Sequence, residues 1–150
     1  MAKRLLLVAS GGGHWVQLSR LSPAFEGHHA LYATTMRGVQ APSGGRAVEF
    51  VHDASRSQPT MFVLLILQVL FLVLKFRPHV IITTGAAPGL VALQIGKLFG
   101  ARTVWIDSLA NVKKISLSGR LAERYADLWL TQWPHLVEQH PNLSSFGSVL

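Results

Sequence analysis

The 150-residue sequence contains no cysteine, which excludes thiol catalysis, disulfide scaffolds and cysteine-bound zinc fingers. Charge is scarce as well. Asp, Glu, Lys and Arg together make up 14% of the chain, where soluble domains carry roughly 25%, so part of the surface is expected to be covered by something other than water. Acidic residues are the scarcest charge: seven Asp and Glu stand against fourteen Lys and Arg, a net charge of +7. Such an excess suits nucleic acid, an anionic membrane or phosphorylated substrates. The basic residues occur as Lys3-Arg4, Lys75 with Arg77, and Lys113-Lys114, the rest singly. No run interleaves them with aromatics as a single-strand binder would, so nucleic acid is not an expected partner. The histidines show no His-x-x-x-His spacing, and neither a metal nor a cofactor is expected.

What is abundant is apolar sequence, 49% of the chain, enough for one core and one domain spanning residues 1–150. Apolar runs at 4–9, 28–34, 47–52, 79–84, 102–107 and 127–132 read as strands. Helical patterns fall at 14–22, from Pro88 to Gly100, and at 117–126. Strands that are apolar throughout and alternate with helices predict a Rossmann-like, doubly wound α/β domain with a parallel sheet. Residues 36–46, with Pro42, Gly44 and Gly45, read as a mobile loop. The amino terminus lacks the length and cleavage site of a signal peptide and reads as a first strand in the cytoplasm.

The run Met61–Leu74 is apolar all round except for Gln68 and is followed by Lys75 and Arg77. Fourteen helical residues cover about 21 Å, short of the roughly 30 Å of bilayer hydrocarbon, so this segment, part of a helix at about 59–77, is not expected to span. A helix on one face of a sheet normally keeps a polar stripe towards water. With almost none, this one is expected to touch a membrane interface or a partner as well as its own core, through Phe62, Leu65, Leu70 and Phe71, with Lys75 and Arg77 at anionic headgroups.

Open α/β sheets bind ligands beyond the carboxyl ends of their strands. That rule selects Ser10 to His14, Thr34 and Thr35, Thr84 to Ala87, Asp107 with Ser108, and Gln132 with Trp133. Ser10, Gly11, Gly12 and Gly13 open a helix, where free amides and the positive helix end suit a phosphate; a tight strand-to-helix turn would use the same glycines. The Gly-x-Gly-x-x-Gly spacing fails, because Val16 stands three residues after Gly13, and there is no Walker lysine. Thr84, Gly85 and Ala86 precede a second helix start and let backbone approach the same ligand. His14 and Asp107 are the candidate bases, since imidazole titrates near neutrality and a carboxylate at a strand end can accept a proton; capping roles are the alternative for both.

The segments SGGGHWVQL (Ser10 to Leu18), TTGAAPGLVAL (Thr83 to Leu93), GRLAERYADLWLTQWP (Gly119 to Pro134) and FGSVL (Phe146 to Leu150), in this order, resemble the Alg14-type proteins, among them bacterial capsule and exopolysaccharide subunits of the PssD and CpsF types. The glycine loop also resembles the acceptor-side loop of the peptidoglycan transferase MurG. The resemblance implies one half of a GT-B fold: the acceptor-side, membrane-associated subunit of a split glycosyltransferase. An Alg13-like catalytic subunit would bind a UDP-sugar, UDP-GlcNAc or a related hexose. The acceptor would be polyprenyl-diphosphate-linked, at the cytoplasmic face of the membrane. Eukaryotic members carry an amino-terminal transmembrane helix, which is not read in this sequence, so attachment would fall to Met61–Leu74 and the nearby basic residues. On this reading His14 or Asp107 serves as base, Ser10 to Gly13 and Thr84 to Ala86 hold the acceptor diphosphate, and the chain alone transfers nothing. A membrane scaffold that only recruits the catalytic subunit, and a stand-alone nucleotide-binding Rossmann protein, are the alternatives.

Overall fold

A computed structural model describes residues 1–42, 45–55 and 57–149. Six strands follow one another along the chain: β1 (Arg4–Ala9), β2 (His29–Thr34), β3 (Val48–Phe50), β4 (Val80–Gly85), β5 (Arg102–Ile106) and β6 (Leu128–Leu130). They form one sheet in the order β3-β2-β1-β4-β5-β6, and every pairing is parallel. The helices between them are α1 (Gly13–Arg20), α2 (Pro59–Phe76), α3 (Ala86–Leu98) and α4 (Leu117–Ala122), and α5 (Pro134–Val137) follows β6. The doubly wound expectation therefore stands. Of the loop expected at 36–46, residues 43 and 44 lie outside the described residues.

Alternation along β1 divides the core into two. Leu6 and Val8 pack with Leu65, Val69 and Val73 of α2 and Val91 of α3; Leu5, Leu7 and Ala9 pack with Leu18 of α1, Phe25 and Tyr32. Side chains alternate across a strand, so one apolar run feeds both faces of a covered sheet. Trp15 holds α1 down through an edge-on contact with Tyr32, ring centroids 5.6 Å apart. Two glycines bring α3 close to β4: a Cβ at Gly89 would collide with Thr83, and one at Gly96 with Ile81.

The apolar helix α2 runs for 18 residues, about 27 Å. Leu65, Val69, Leu72 and Val73 are buried in the core, while Val63, Leu67, Phe71 and Leu74 are at least half exposed. This corrects the expectation for Leu65: it is fully buried against the sheet and presents nothing outward. Phe62 and Leu70 are half-buried and pack against the same core, whereas Phe71, Lys75 and Arg77 are exposed. The polar residue in the middle of the helix has a local task, because the Gln68 Oε1 accepts the His52 backbone N–H at 2.8 Å and satisfies the chain leaving β3.

The short helix α4 ends at Ala122, four residues earlier than the pattern predicts. The chain turns there, with the Tyr125 and Ala126 amides both bonding the Ala122 carbonyl, and β6 begins at Leu128. After β6 the chain returns to the sheet, where Ser144 pairs beside Leu130.

Candidate functional site

Because all six strands are parallel, their carboxyl ends gather the loops after β1, β4, β5 and β6 along one edge. The glycine loop leads there from β1 into α1. Gly12 sits at φ 68°, a left-handed conformation that a side chain would strain, and a Cβ there would meet nothing within 4 Å. The Gly11 amide donates to the Thr35 Oγ1 at 3.0 Å, tying the loop to the end of β2. Neither α1 nor α3 has a side-chain cap or an acidic residue in its first turn. Their leading amides are thus left for water or an anion, with the positive end of each helix beside them.

An irregularity in the sheet joins these two helix starts. Val8 pairs with Thr83 and Ala9 with Gly85, so Thr84 is an extra residue in β4, a bulge of the kind that re-aims backbone near a site. The Thr84 carbonyl lies 2.9 Å from the His14 Nδ1, and the Thr84 Oγ1 donates to the His14 carbonyl at 2.6 Å. A carbonyl only accepts, so Nδ1 carries the hydrogen, and Nε2 of the neutral ring holds the free lone pair. Gly85 makes the arrangement fit: it lies at φ 131°, and a Cβ there would sit 2.8 Å from the His14 ring. Ala86 follows at φ 68°, a costly conformation for a residue with a side chain.

The half-buried His14 and Ala86 line a cleft of about 300 Å³ together with Ser108, Asn111, Ser116 and Ser118. Ser10 is buried beneath the glycine loop, and Gly12 and Gly13 are exposed at its crest. Asp107 lies under the cleft and is 1% exposed. Its Oδ1 accepts from the Trp105 Nε1 (3.1 Å) and the Ser116 Oγ (2.6 Å), and its Oδ2 from the Asn111 Nδ2 (3.1 Å) and the Ser116 amide (3.0 Å). With four donors on two oxygens, this carboxylate fastens the loop from 108 to 116 rather than facing a substrate. Gly119 allows that loop to close, since a Cβ there would collide with the Asp107 Oδ1.

Gln17, which the sequence reading did not single out, completes the floor together with Gln132, which the carboxyl-edge rule did select. Buried Gln17 of α1 donates to the Ser108 Oγ (3.1 Å) and accepts the Leu109 amide (3.0 Å). The Gln132 Nε2 donates to the Gln17 Oε1 (2.6 Å) and the Asp107 carbonyl (3.0 Å), and the Val149 amide donates to the Gln132 Oε1 (2.9 Å). Gln17 lies on α1 and Gln132 in the loop after β6, and a lone glutamine in a helix such as Gln17 carries no sequence signal of such a role. Among the described residues no group of His, Asp or Glu could hold a metal ion.

Comparison with known proteins places the chain in a family. The family model described as "Oligosaccharide biosynthesis protein Alg14 like" matches residues 45–149. The chain belongs to the Alg14 family. A relative from Yarrowia lipolytica, the UDP-N-acetylglucosamine transferase subunit ALG14, is 35% identical over 85 residues, 53% of this chain and 39% of the relative. The human protein of the same name is 24% identical over 178 aligned positions, covering 97% of this chain and 82% of the relative. The aligned stretch thus spans about two fifths of the length of this and two further fungal relatives. Among solved structures, MurG of Acinetobacter baumannii superposes with a TM-score of 0.72 at 9% identity, covering 89% of this chain and 43% of MurG. The UDP-GlcNAc 2-epimerase of Neisseria meningitidis, solved with UDP-GlcNAc, gives 0.71 at 10% identity, covering 97% and 47%. At such identities the likeness is one of fold: the Rossmann-like half of a GT-B architecture.

Proposed function

We propose that this chain is the acceptor-side, membrane-associated subunit of a split glycosyltransferase that moves a sugar from a UDP-sugar to a polyprenyl-diphosphate-linked acceptor. The observation that carries the reading is the His14 arrangement. Two uncapped helix starts, joined through the Thr84 bulge, offer amides to a diphosphate while the Nε2 of His14 keeps its lone pair. Names of the family relatives support UDP-GlcNAc as the donor and a subunit role. The failed dinucleotide spacing agrees with a donor held by another chain, an Alg13-like catalytic subunit.

In this mechanism Ser10 to Gly13 and Thr84 to Ala86 position the diphosphate, and exposed Lys113 and Lys114, on the loop beside the cleft, draw it in. An acceptor hydroxyl attacks the anomeric carbon of the UDP-sugar, the carbon–oxygen bond to UDP breaks, and UDP leaves with the electron pair. His14 Nε2 takes the hydroxyl proton. Asp107 acts as a positioning residue: it shapes the wall of the cleft through Asn111 and Ser116. The outward stripe of Val63, Leu67, Phe71 and Leu74 rests on the membrane at its cytoplasmic face, with Lys75 and Arg77 at the headgroups.

The test is transfer from radiolabelled UDP-GlcNAc to a polyprenyl-diphosphate-linked acceptor by the chain alone, by its co-purified partner alone and by the pair. Product is expected with the pair only; full transfer by the partner alone would sink the proposal. The scaffold reading rests on the enclosure of Asp107, which leaves His14 as the single titratable side chain lining the cleft. Wild-type turnover by a His14→Ala pair would favour that reading.

A further inference from the structure

A cavity of about 780 Å³ lies at the opposite, amino edge of the sheet, between the start of β1 and the ends of α2 and α3. Lys3, Arg4, Arg77 and His79 line it, and no acidic residue does. Among the described residues the one ion pair is Lys97 with Asp127, so Lys3, Arg4 and Arg77 have no carboxylate to neutralise them. The Arg4 Nε donates to the Arg77 carbonyl at 2.8 Å, which fixes one guanidinium at the rim. The Arg4 amide donates to the His79 Nδ1 at 2.9 Å, so in the neutral ring the hydrogen sits on Nε2 and that nitrogen is a further donor. Slight desolvation, then the Arg4 and Lys3 charges, hold the exposed His79 imidazole below its ordinary titration range.

Two further observations turn this cluster into a site for an amphiphile. Arg77 caps α2 in a left-handed conformation, φ 51°, at a position where glycine is the usual choice. A side chain kept there against backbone preference points to use of its charge. The cavity wall also includes Leu74, 50% exposed and the last residue of the outward stripe of α2, and Phe99, 54% exposed beside Leu98 at 83%. Cationic donors and exposed apolar side chains therefore share one opening.

We propose that this cavity binds the phosphate of an anionic membrane phospholipid, with Lys3, Arg4, Arg77 and His79 around the phosphate and Leu74 and Phe99 against the acyl chains. The proposal rests on the reading that α2 lies on a membrane. It adds a consequence: a lipid phosphate at the carboxyl-terminal end of α2 holds the helix along the interface, with both its ends at headgroup level. The site is separate from the acceptor cleft, which lies at the other edge of the sheet.

The experiment is flotation of the full chain with vesicles of phosphatidylcholine alone or mixed with phosphatidylglycerol. Wild type is expected to prefer the anionic vesicles, and the Lys3→Gln/Arg77→Gly variant to lose about thirtyfold of that preference. Glycine suits the left-handed position, so this variant should keep the wild-type melting temperature. An Arg120→Gln/Arg124→Gln variant removes the same charge from exposed positions elsewhere and should keep most of the preference. An equal loss in that control, or a retained preference in the cavity variant, would overturn the proposal. So would displacement from the vesicles by millimolar inorganic phosphate, which would assign the cavity to a soluble anion. Equal binding to both vesicle types, abolished by Leu67→Glu/Phe71→Glu, would sink the phosphate site and leave the membrane reading of α2 standing. Binding to neither vesicle would end both.

Discussion

The two edges of the sheet treat charge in opposite ways. At the carboxyl edge the one buried carboxylate, Asp107, receives four hydrogen bonds, and small residues and backbone amides form the surface. At the amino edge Lys3, Arg4 and Arg77 surround a larger cavity with no acidic partner among the described residues. Helix α2 links the two, since its amino terminus follows β3 and its carboxyl terminus opens on the cationic cavity. On the proposed reading, the contrast is between a carboxyl edge that would orient an anion through dipoles and one imidazole and an amino edge that would attract one through net charge.

The largest effect should come from the element the edges share. Leu65→Ala removes a fully buried side chain from α2 and should cost about 2–5 kcal/mol of stability, measured by urea unfolding, whereas Leu67→Ala, on the exposed stripe, should barely move the midpoint. Equal costs would mean that the helix does not sit on the sheet as described. Next is His14→Ala, expected to lower transfer by the reconstituted pair about 100-fold, or about 2.7 kcal/mol of barrier, while vesicle binding at the amino edge stays unchanged. Loss of both would show that the edges are not independent.

Gly119→Ala should disturb the carboxyl edge alone. A methyl group directed at Asp107 and Ile115 is expected to cost about 1–3 kcal/mol, read as a fall in melting temperature, together with reduced transfer. The smallest effect belongs to the ion pair near the amino edge. The Lys97 side chain, with a contribution from Thr103, holds the Asp127 carboxyl below its ordinary range. A depressed carboxylate stabilises the fold above its unfolded pKa, near 3.8, and loses that contribution as pH falls through its lower folded value. Both side chains are partly exposed, so Asp127→Asn should cost at most about 1 kcal/mol at pH 7 and flatten the stability profile below pH 4.

Much of the fold was legible because strands covered on both faces are apolar without alternation, and six such runs separated by helices leave few arrangements. The direction in which α2 faces was not. A helix apolar all round has no periodicity from which to read its buried stripe, and Leu65 was accordingly assigned outward when it lies in the core. At the site, the rule that parallel sheets bind at their carboxyl ends selected His14, Thr84, Ala86 and Ser108, which the fold brings together. It could not tell that Asp107 is enclosed, since its partners Asn111 and Ser116 are ordinary loop residues until the loop folds over it. The link between Gln17 and Gln132 joins α1 to the end of β6, a contact that topology creates and local sequence does not encode.

The central claim is that the carboxyl edge of this chain holds a lipid-linked diphosphate rather than a nucleotide sugar. Titration of the isolated chain with a short-chain polyprenyl diphosphate and, separately, with UDP-GlcNAc, followed through the imidazole resonances of His14, tests it most directly. The account predicts saturable shifts of His14 with the polyprenyl diphosphate and almost none with UDP-GlcNAc. Tight binding of UDP-GlcNAc at His14, with no response to the polyprenyl diphosphate, would contradict it.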